Sequence, residues 1–278
     1  MKKLLIVDGS NLLFQMFFGM PARITGKDGR AIQGTLGFTG ALLKIIRMTS
    51  PTHVAVLFDC ETQNERRELD PDYKANRPDY SKMPEEESPF SQLSDIYAAL
   101  DELGIAHTEC IGCETDDVIA EYALTSDCET VISSFDSDFF QLITERVSVL
   151  RYRSDKTVIC TPEYIREKFG ILPCQYADLK SLVGDTADNI RGAAGIGPKT
   201  AAALLNRFGT LNDILENAEK IEKPSVRRAV LDNAERLRLN YRLIKLGFGA
   251  HRPFTESEME YVNDGRTTNE ILRFINIL

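Results

Sequence analysis

The 278-residue chain is long enough to bury a large hydrophobic core, as one large domain or two smaller ones. Hydrophobic residues make up 43% of it and charged residues 27%, which is typical of a soluble globular protein. The apolar stretches are shorter than a membrane span requires, and MKKLLIVDGSN lacks a signal-peptide cleavage pattern, so a cytoplasmic location is expected. The net charge of −9 argues against indiscriminate nucleic-acid binding, although a cluster of acids would account for much of it.

The first part of the chain alternates between short apolar runs and amphipathic stretches. Strands are predicted at residues 3–8, 53–58, 105–110 and 129–135. Helices are predicted from Asn11, over 34–48, 91–104 and 114–124, and from about residue 137. This order predicts an α/β fold with a doubly wound, mainly parallel sheet.

From Thr161 onward the chain becomes almost wholly helical, including the run PSVRRAVLDNAERLRLNYRLIKL. We therefore predict an α/β core over residues 1–160 and a helical subdomain over residues 161–278. A highly charged stretch that contains prolines, at about residues 61–89, interrupts the core. Loops of this length are usually functional or mobile.

Acidic residues close or follow the predicted strands. They are Asp8, Asp59, Glu114, Asp116, Asp117, Asp136 and Asp138. The carboxyl ends of parallel strands share one edge of a sheet, so these acids are expected to converge there. Grouped carboxylates repel one another and raise each other's pKa values, unless divalent cations such as Mg²⁺ or Mn²⁺ neutralise them. For any one acid a helix N-cap is the simpler interpretation, but four runs that end alike favour a metal site.

A glycine-rich segment, IRGAAGIGPKTAAALLNRFG, follows later in the chain. It predicts a helix, a hairpin with Gly195 and Gly197, and a second helix that carries Lys199 and Thr200 in its first turn. Such a helix-hairpin-helix, at about residues 185–209, would bind a nucleic-acid backbone without reading its sequence. A glycine-rich turn between two packed helices is the alternative.

A second acidic pair, Asp185 and Asp188, lies in the segment LVGDTADNI. Their i, i+3 spacing puts both carboxylates on one face of a helix or turn. Together with the acids at the strand ends they are enough to bind two cations. Two metals about 4 Å apart suit phosphodiester hydrolysis, since one activates water and the other stabilises the leaving oxygen. That reaction needs no histidine, which agrees with the scattered positions of the three histidines.

Seven segments of the sequence carry a family resemblance. In chain order they are LLIVDGSNLL, THVAVLFD, YKANRP, CETDDVIA, FDSDFFQLI, KSLVGDTADNI and GAAGIGPKTAAALL. They resemble the flap endonuclease and 5′-3′ exonuclease family, and most of all its bacterial type, the N-terminal 5′-nuclease domain of DNA polymerase I and its free-standing relatives. The sequence stops at residue 278 without a polymerase module, so a free-standing member or an isolated domain is expected.

The resemblance implies a PIN-like core, a helical arch in the charged stretch, and two divalent cations, Mg²⁺ or Mn²⁺, bound by the nine acids. It also implies that Lys74 and Arg77 contact the scissile phosphate, where a cation offsets negative charge that the acids would repel. Arg66 is a further candidate for contact with DNA. Tyr73 and Tyr80 could stack on an unpaired base.

Three features depart from the family pattern. Phe135 stands where the family usually has glycine before the first acid of the D-x-D pair, and Arg191 replaces a proline. The run Glu85, Glu86 and Glu87 makes the stretch after the basic residues unusually acidic. None of these changes removes a metal ligand, so they bear on substrate preference and rate rather than on the reaction.

The leading hypothesis is a structure-specific 5′ nuclease that acts on DNA with 5′ flaps or 5′ ends, with RNA primers as a further substrate. The resemblance also implies K⁺ at the helix-hairpin-helix, bridging backbone carbonyls to phosphate. A monomer without membrane contact is expected, working with a separate DNA polymerase in replication and repair. The alternatives are a PIN-like ribonuclease, which would need neither the helix-hairpin-helix nor the second acidic pair, and a non-catalytic DNA junction-binding protein, which Phe135 favours.

Overall fold

The computed structural model describes residues 2–20, 22–60, 65–77, 82, 84, 88–247 and 249–278. Much of the predicted arch lies outside the described residues, including Tyr80, Glu85, Glu86 and Glu87. Residues 65–77, named here the arch base, are described and form a short helix, Glu65–Leu69, followed by turns.

A six-stranded sheet forms the centre of the fold. Its strands are β1 (Lys3–Asp8), β2 (His53–Asp59), β3 (Ala106–Cys110), β4 (Glu129–Ser133), β5 (Val147–Arg151) and β6 (Val158–Cys160). Their spatial order is β3-β2-β1-β4-β5-β6; β1 to β5 run parallel, and β6 runs antiparallel to β5. The predicted mainly parallel sheet is confirmed. Strands β5 and β6 were not predicted from the sequence. Strand β6 has only 3 residues and exposes Val158 and Ile159, so it lacks the buried run that marks β1, β2 and β4.

Helices connect the strands and form most of the C-terminal part. They are α1 (Gly9–Gly19), α2 (Gln33–Thr49), α3 (Glu65–Leu69), α4 (Leu93–Glu102), α5 (Thr115–Thr125), α6 (Pro162–Phe169), α7 (Tyr176–Val183), α8 (Pro198–Phe208), α9 (Leu211–Glu216), α10 (Pro224–Asp232), α11 (Ala234–Ile244) and α12 (Thr268–Phe274). Short 3₁₀ helices occur at Pro89–Gln92, Asp138–Leu142, Ser154–Lys156, Pro173–Gln175, Ala218–Lys220 and Ser257–Met259. Among the described residues, no helix is both long enough and apolar enough to span a membrane.

Both faces of the sheet are buried. Leu5 and Val7 of β1 belong to one hydrophobic cluster, which also contains residues of α1, α2 and α4. Leu4 and Ile6 face the other way, into a cluster that contains α5 and several C-terminal helices. Burial on both faces explains why the central strands are continuous apolar runs rather than alternating ones.

The C-terminal helices share the core of the α/β part. Helix α7 packs against α8, α9 and α11, and its residues Leu179 and Leu182 lie in the same cluster as Phe140, which follows β4. Helix α12 packs on α2 and α4, so the end of the chain returns to the opposite face of the sheet. The division into subdomains at residue 160 stays a prediction.

A two-stranded hairpin replaces part of the predicted helix-hairpin-helix. Strands β7 (Gly184–Asp185) and β8 (Ile190–Arg191) pair antiparallel directly after α7, so residues 185–191 are not helical. The helix before the glycines is therefore α7, and the helix after them is α8. The hairpin carries both members of the second acidic pair, Asp185 in β7 and Asp188 in the turn.

Gly192 closes this hairpin against the end of α7, and we expect Gly192→Ala to destabilise the protein. A Cβ at Gly192 would lie 2.2 Å from the carbonyl carbon of Val183, which is backbone and cannot move aside. Overpacking of this kind costs about 1–3 kcal/mol. Urea unfolding of Gly192→Ala and Gly19→Ala provides the test, because Gly19 is exposed and a Cβ there has no heavy atom within 4 Å. Equal stabilities for the two variants would contradict the close approach.

Candidate metal centre

The carboxyl edge of the sheet gathers the predicted acids. Asp8 ends β1, Asp59 ends β2, and Asp136 follows β4, while β1 lies between β2 and β4 in the sheet. Asp116 lies in the first turn of α5, which begins just beyond the end of β3. Asp8 lies close enough to Asp59 and Asp136 for their negative charges to raise its pKa. Asp136 and Asp8 raise the pKa of Asp116 in the same way. The structure therefore brings these four acids together as predicted.

Asp8 is the most deeply embedded acid at this edge. It caps the N-terminus of α1, where Oδ1 accepts a hydrogen bond from the Asn11 backbone N–H at 3.0 Å. Its Oδ2 accepts from the hydroxyl of Ser134 at 2.8 Å. Burial, followed by repulsion from Asp59, raises the pKa of Asp8 to about 7. The N-cap interpretation is thus correct for Asp8, and it coexists with the acid cluster.

Asp116 and Asp136 form the second crowded pair at this edge. Burial and the neighbouring Asp136 raise the pKa of Asp116 well above its ordinary value. Asp136 is fixed at the end of β4, since its backbone N–H donates to the Ser134 hydroxyl at 3.0 Å. Its carboxylate also accepts from the Asp138 backbone N–H at 2.8 Å. These contacts hold Asp136 in place despite its repulsion from Asp116.

A second cluster contains Asp138, Asp185 and Asp188. One carboxylate oxygen from each lies within 4.8 Å of the others. The ammonium group of Lys180, on α7, forms ion pairs with both Asp138 and Asp185. Burial raises the pKa of Asp138 to about 7, opposed by Lys180 and reinforced by Asp136. The hairpin thus places Asp185 and Asp188 beside Asp138.

Lys180 was not predicted from the sequence. Its side chain is only 11% exposed, and although burial lowers the pKa of Lys180, the carboxylates of Asp138 and Asp185 outweigh that effect and raise it. The available sequence signal is a lysine in the last turn of the helix just before the acidic hairpin. That signal is weak without the fold, because Asp138 is 42 positions away in the chain.

Glu114 and Asp117 form ion pairs with positively charged side chains of the protein. Both oxygens of Asp117 accept hydrogen bonds from the guanidinium of Arg66, at 2.6 and 2.9 Å, and Arg66 also reaches Glu114 at 2.5 Å. Lys74 donates to Glu114 at 2.7 Å. The residues around α3 are therefore fastened to the start of α5.

Arg66 and Tyr73, which are predicted to contact DNA, are buried in this structure. Their relative exposures are 6% and 3%, and the Tyr73 hydroxyl donates to Glu114 at 3.3 Å. Both side chains extend from the arch base to the acids at the start of α5. The charged composition of the segment could not reveal this burial.

Lys74 and Arg77, the predicted contacts of the scissile phosphate, lie beside the acids. Lys74 has a left-handed backbone, with φ of 55°, and its N–H donates to the carbonyl of Asp188 at 3.0 Å. Arg77 donates to the carboxylate of Asp188 at 2.7 Å and keeps about half of its side chain exposed. Burial lowers the pKa of Lys74, but Glu114 and the other nearby acids more than offset this and raise it.

The glycine segment before α8 is open to solvent. Gly195 has a left-handed backbone, with φ of 83°, and Gly197 caps the N-terminus of α8. Both glycines and Lys199 are exposed, and Thr200 is half-buried. An open helix N-terminus with small residues before it suits a phosphate group, so the placement agrees with the predicted contact surface.

The donor set of both clusters fits hard divalent cations. The clusters offer carboxylate oxygens, which are the ligands preferred by Mg²⁺ and Mn²⁺. Burial, together with repulsion between neighbouring acids, raises the pKa values of Asp8, Asp116 and Asp138, and a bound cation would favour their charged forms. An acid-lined edge of a parallel sheet with these properties is a candidate site for divalent cations.

Comparison with known proteins identifies the family. Residues 3–170 match the 5′-3′ exonuclease N-terminal resolvase-like domain, and residues 171–265 match the 5′-3′ exonuclease C-terminal SAM fold. The chain belongs to the 5′-3′ exonuclease family, as the sequence motifs predict.

Individual relatives agree with this assignment. The chain is 36% identical over 250 residues to the 5′-3′ exonuclease of Aquifex aeolicus, covering 88% of this chain and 82% of that protein. It is 35% identical over 247 residues to the thermostable DNA polymerase I of Thermus thermophilus, covering 88% of this chain but 28% of the polymerase. It thus spans about a quarter of the DNA polymerase I relatives. The T5 D15 protein co-crystallised with metal ions is 25% identical, with a TM-score of 0.69 over 87% of this chain and 89% of that one.

Proposed function

We propose that this chain is a structure-specific 5′ nuclease that hydrolyses DNA phosphodiesters near junctions of single and double strands. The observation that carries this proposal is the meeting of two acidic clusters at the carboxyl edge of the sheet. The nucleases among its relatives and the metal ions bound to the T5 protein support it. Cleavage would leave a 5′-phosphate on the downstream end of the cut strand.

Two divalent cations, Mg²⁺ or Mn²⁺, are the proposed cofactors. Asp8, Asp116 and Asp136 would hold one of them, and the cluster around Asp138 and Asp185 would hold the other. When bound, such ions activate water and neutralise charge on the leaving oxygen of a phosphodiester. The proposed ligand set also contains Asp59, Asp188, Glu114 and Asp117. These acids would bind the metal ions directly or hold positively charged side chains of the protein beside the site.

Lys74 and Arg77 are the proposed partners of the scissile phosphate. Both lie on the arch base next to the acids, where their positive charges offset the negative charge that repels DNA. Arg77 is the more accessible of the two because about half of its side chain is exposed. A planar guanidinium can donate two parallel hydrogen bonds to a phosphate group.

We expect Arg77→Met to lower the rate of flap cleavage by about a hundredfold, the lower end of the range for losing one donor to the reacting group. Single-turnover cleavage at saturating enzyme measures this loss apart from weaker binding. Lys156→Met is the matched control, since Lys156 is an exposed cation in the 3₁₀ helix Ser154–Lys156. A parent-like rate for Arg77→Met would remove Arg77 from the reaction.

Duplex DNA is the proposed ligand of the segment before α8. Gly195, Gly197, Lys199 and Thr200 would contact its backbone, with K⁺ as a proposed bridge between carbonyls and phosphate. The 5′ strand would pass under the arch. We further propose that the protein acts as a monomer in the cytoplasm, removes RNA primers and displaced flaps, and cooperates with a DNA polymerase in replication and repair.

A labelled 5′-flap duplex tests the proposed activity. We expect cutting near the junction in Mg²⁺ or Mn²⁺ and none in EDTA. Tight flap binding without cutting in either metal would instead indicate a junction-binding protein. Faster cleavage of single-stranded RNA than of the flap would indicate a ribonuclease.

A further inference from the structure

Phe135 occupies an unusual position for a bulky residue, because it directly precedes Asp136. Its ring lies on the guanidinium of Arg151, with 5.0 Å between the ring centroid and Cζ. The ring of Phe140 lies 5.7 Å from the same Cζ. Arg151 also donates from Nη2 to the carbonyl of Phe135 at 3.0 Å, and the Asn11 side chain accepts from the Phe135 N–H at 3.0 Å. Side chains of the protein therefore engage both backbone polar groups of Phe135.

The peptide unit between Phe135 and Asp136 is held at both of its polar atoms. Arg151 binds the carbonyl of Phe135, and the hydroxyl of Ser134 accepts from the N–H of Asp136 at 3.0 Å. That hydroxyl also donates to Asp8. A peptide unit is planar and nearly rigid, so fixing its oxygen and its nitrogen fixes the Cα of Asp136. By binding the carbonyl of Phe135, Arg151 thus helps to fix the position of Asp136, a proposed metal ligand.

Within the part of the chain that the structure describes, no ion pair explains the location of Arg151. Among the described residues it has no carboxylate partner, and its Nε is buried without a hydrogen-bond acceptor. Burying part of a cation without an anion costs free energy, which the two aromatic rings and the carbonyl only partly offset. Its planar group can stack on a ring and donate in its own plane at the same time, which an ammonium group cannot do.

We propose that Arg151 is a positioning residue that holds Asp136 for metal binding, and that Phe135 is the surface on which its guanidinium rests. This inference rests on the proposed function, since it concerns the ligand set of the same site. It explains how a bulky side chain is accommodated where the family usually has glycine. The Phe135 ring stacks on Arg151 of β5, so it leaves room for Asp136 among the acids.

Mn²⁺ binding to the metal-free protein, in the absence of DNA, tests the proposal. Residues that orient metal ligands typically contribute ten- to a hundredfold to metal affinity, so we expect about tenfold weaker Mn²⁺ binding for Arg151→Ala and for Arg151→Lys. The lysine variant keeps the charge and removes only the stacked geometry. The exposed neighbour Arg153 provides the matched control, Arg153→Ala, which should bind Mn²⁺ as the parent does. Near-UV circular dichroism and urea unfolding establish that each variant is folded at the temperature of the titration.

A second comparison links the two side chains of the pair. In a Phe135→Gly background, Arg151→Ala should cost much less than tenfold in Mn²⁺ affinity, because the guanidinium has already lost the ring that holds it. Parent-like or tighter Mn²⁺ binding by folded Arg151→Ala would overturn the inference while leaving the nuclease proposal intact. So would parent-like binding by Arg151→Lys. A parent protein that binds no Mn²⁺ and cuts no flap would contradict the proposed function itself.

Discussion

Flap cleavage by the Asp136→Asn variant is expected to be slower than that of the parent by about a thousandfold or more. Loss of one metal ligand removes several kcal/mol of transition-state stabilisation, and each 1.36 kcal/mol is about a tenfold change in rate. The asparagine oxygen can still accept from the Asp138 N–H, which lies 2.8 Å from Asp136 Oδ1. The substitution therefore removes charge with little change in local structure. Single-turnover cleavage of a labelled 5′-flap duplex in Mg²⁺ measures the effect.

Stability measurements separate this loss from unfolding. Asp136 raises the pKa values of Asp116 and Asp138, so removing its charge relieves repulsion within the metal-free site. Metal-free Asp136→Asn should consequently unfold at the same urea concentration as the parent, or a higher one. Asp155→Asn, an exposed acid in the 3₁₀ helix Ser154–Lys156, controls for the change in net charge. A stable Asp136→Asn protein that cuts at the parent rate would exclude Asp136 from the metal site.

The placement of the acids at one edge of the sheet was predictable because it depends on strand direction. Asp8 and Asp59 close runs whose composition marks them as strands, and parallel strands bring their carboxyl ends to one edge. The strand order, which makes β1 the neighbour of both β2 and β4 and so brings their acids close together, was not predicted. Strand β6 is too short and too exposed to carry a strand signal.

The direction of each side chain was not predictable from the sequence. Asp116 and Asp117 are consecutive in the first turn of α5, and neighbouring residues on an α-helix point about 100° apart. Asp116 consequently faces Asp136, whereas Asp117 turns to Arg66. Motif matching treats both as equal ligands, since it does not use helix geometry. Lys180 is missed for a related reason, because only the packing of α7 brings it to Asp138.

The pairing of Arg66 with Asp117 leads to the largest expected effect on stability. The two side chains share two hydrogen bonds, and their residues are 6% and 7% exposed. Arg66→Met would leave the carboxylate of Asp117 buried without its cation. Breaking a buried ion pair by removing one partner costs about 3–5 kcal/mol, so we expect a loss of this size in urea unfolding without metal. Arg67→Met is the matched control, because Arg67 is exposed on the same helix and should change stability by less than about 0.5 kcal/mol.

Two additions to the Arg66→Met experiment decide what Asp117 does. If Asp117 serves the ion pair alone, Arg66→Met combined with Asp117→Leu should recover most of the lost stability, since no unpaired charge remains in the core. Mg²⁺ would then stabilise Arg66→Met no more than it stabilises the parent. If Asp117 is instead a metal ligand, Mg²⁺ should restore Arg66→Met preferentially, because a bound cation takes over the role of the missing guanidinium. Full parent stability of Arg66→Met without metal would contradict both assignments. The arch base would then be joined to the acids by Lys74 and Arg77 rather than by the buried arginine.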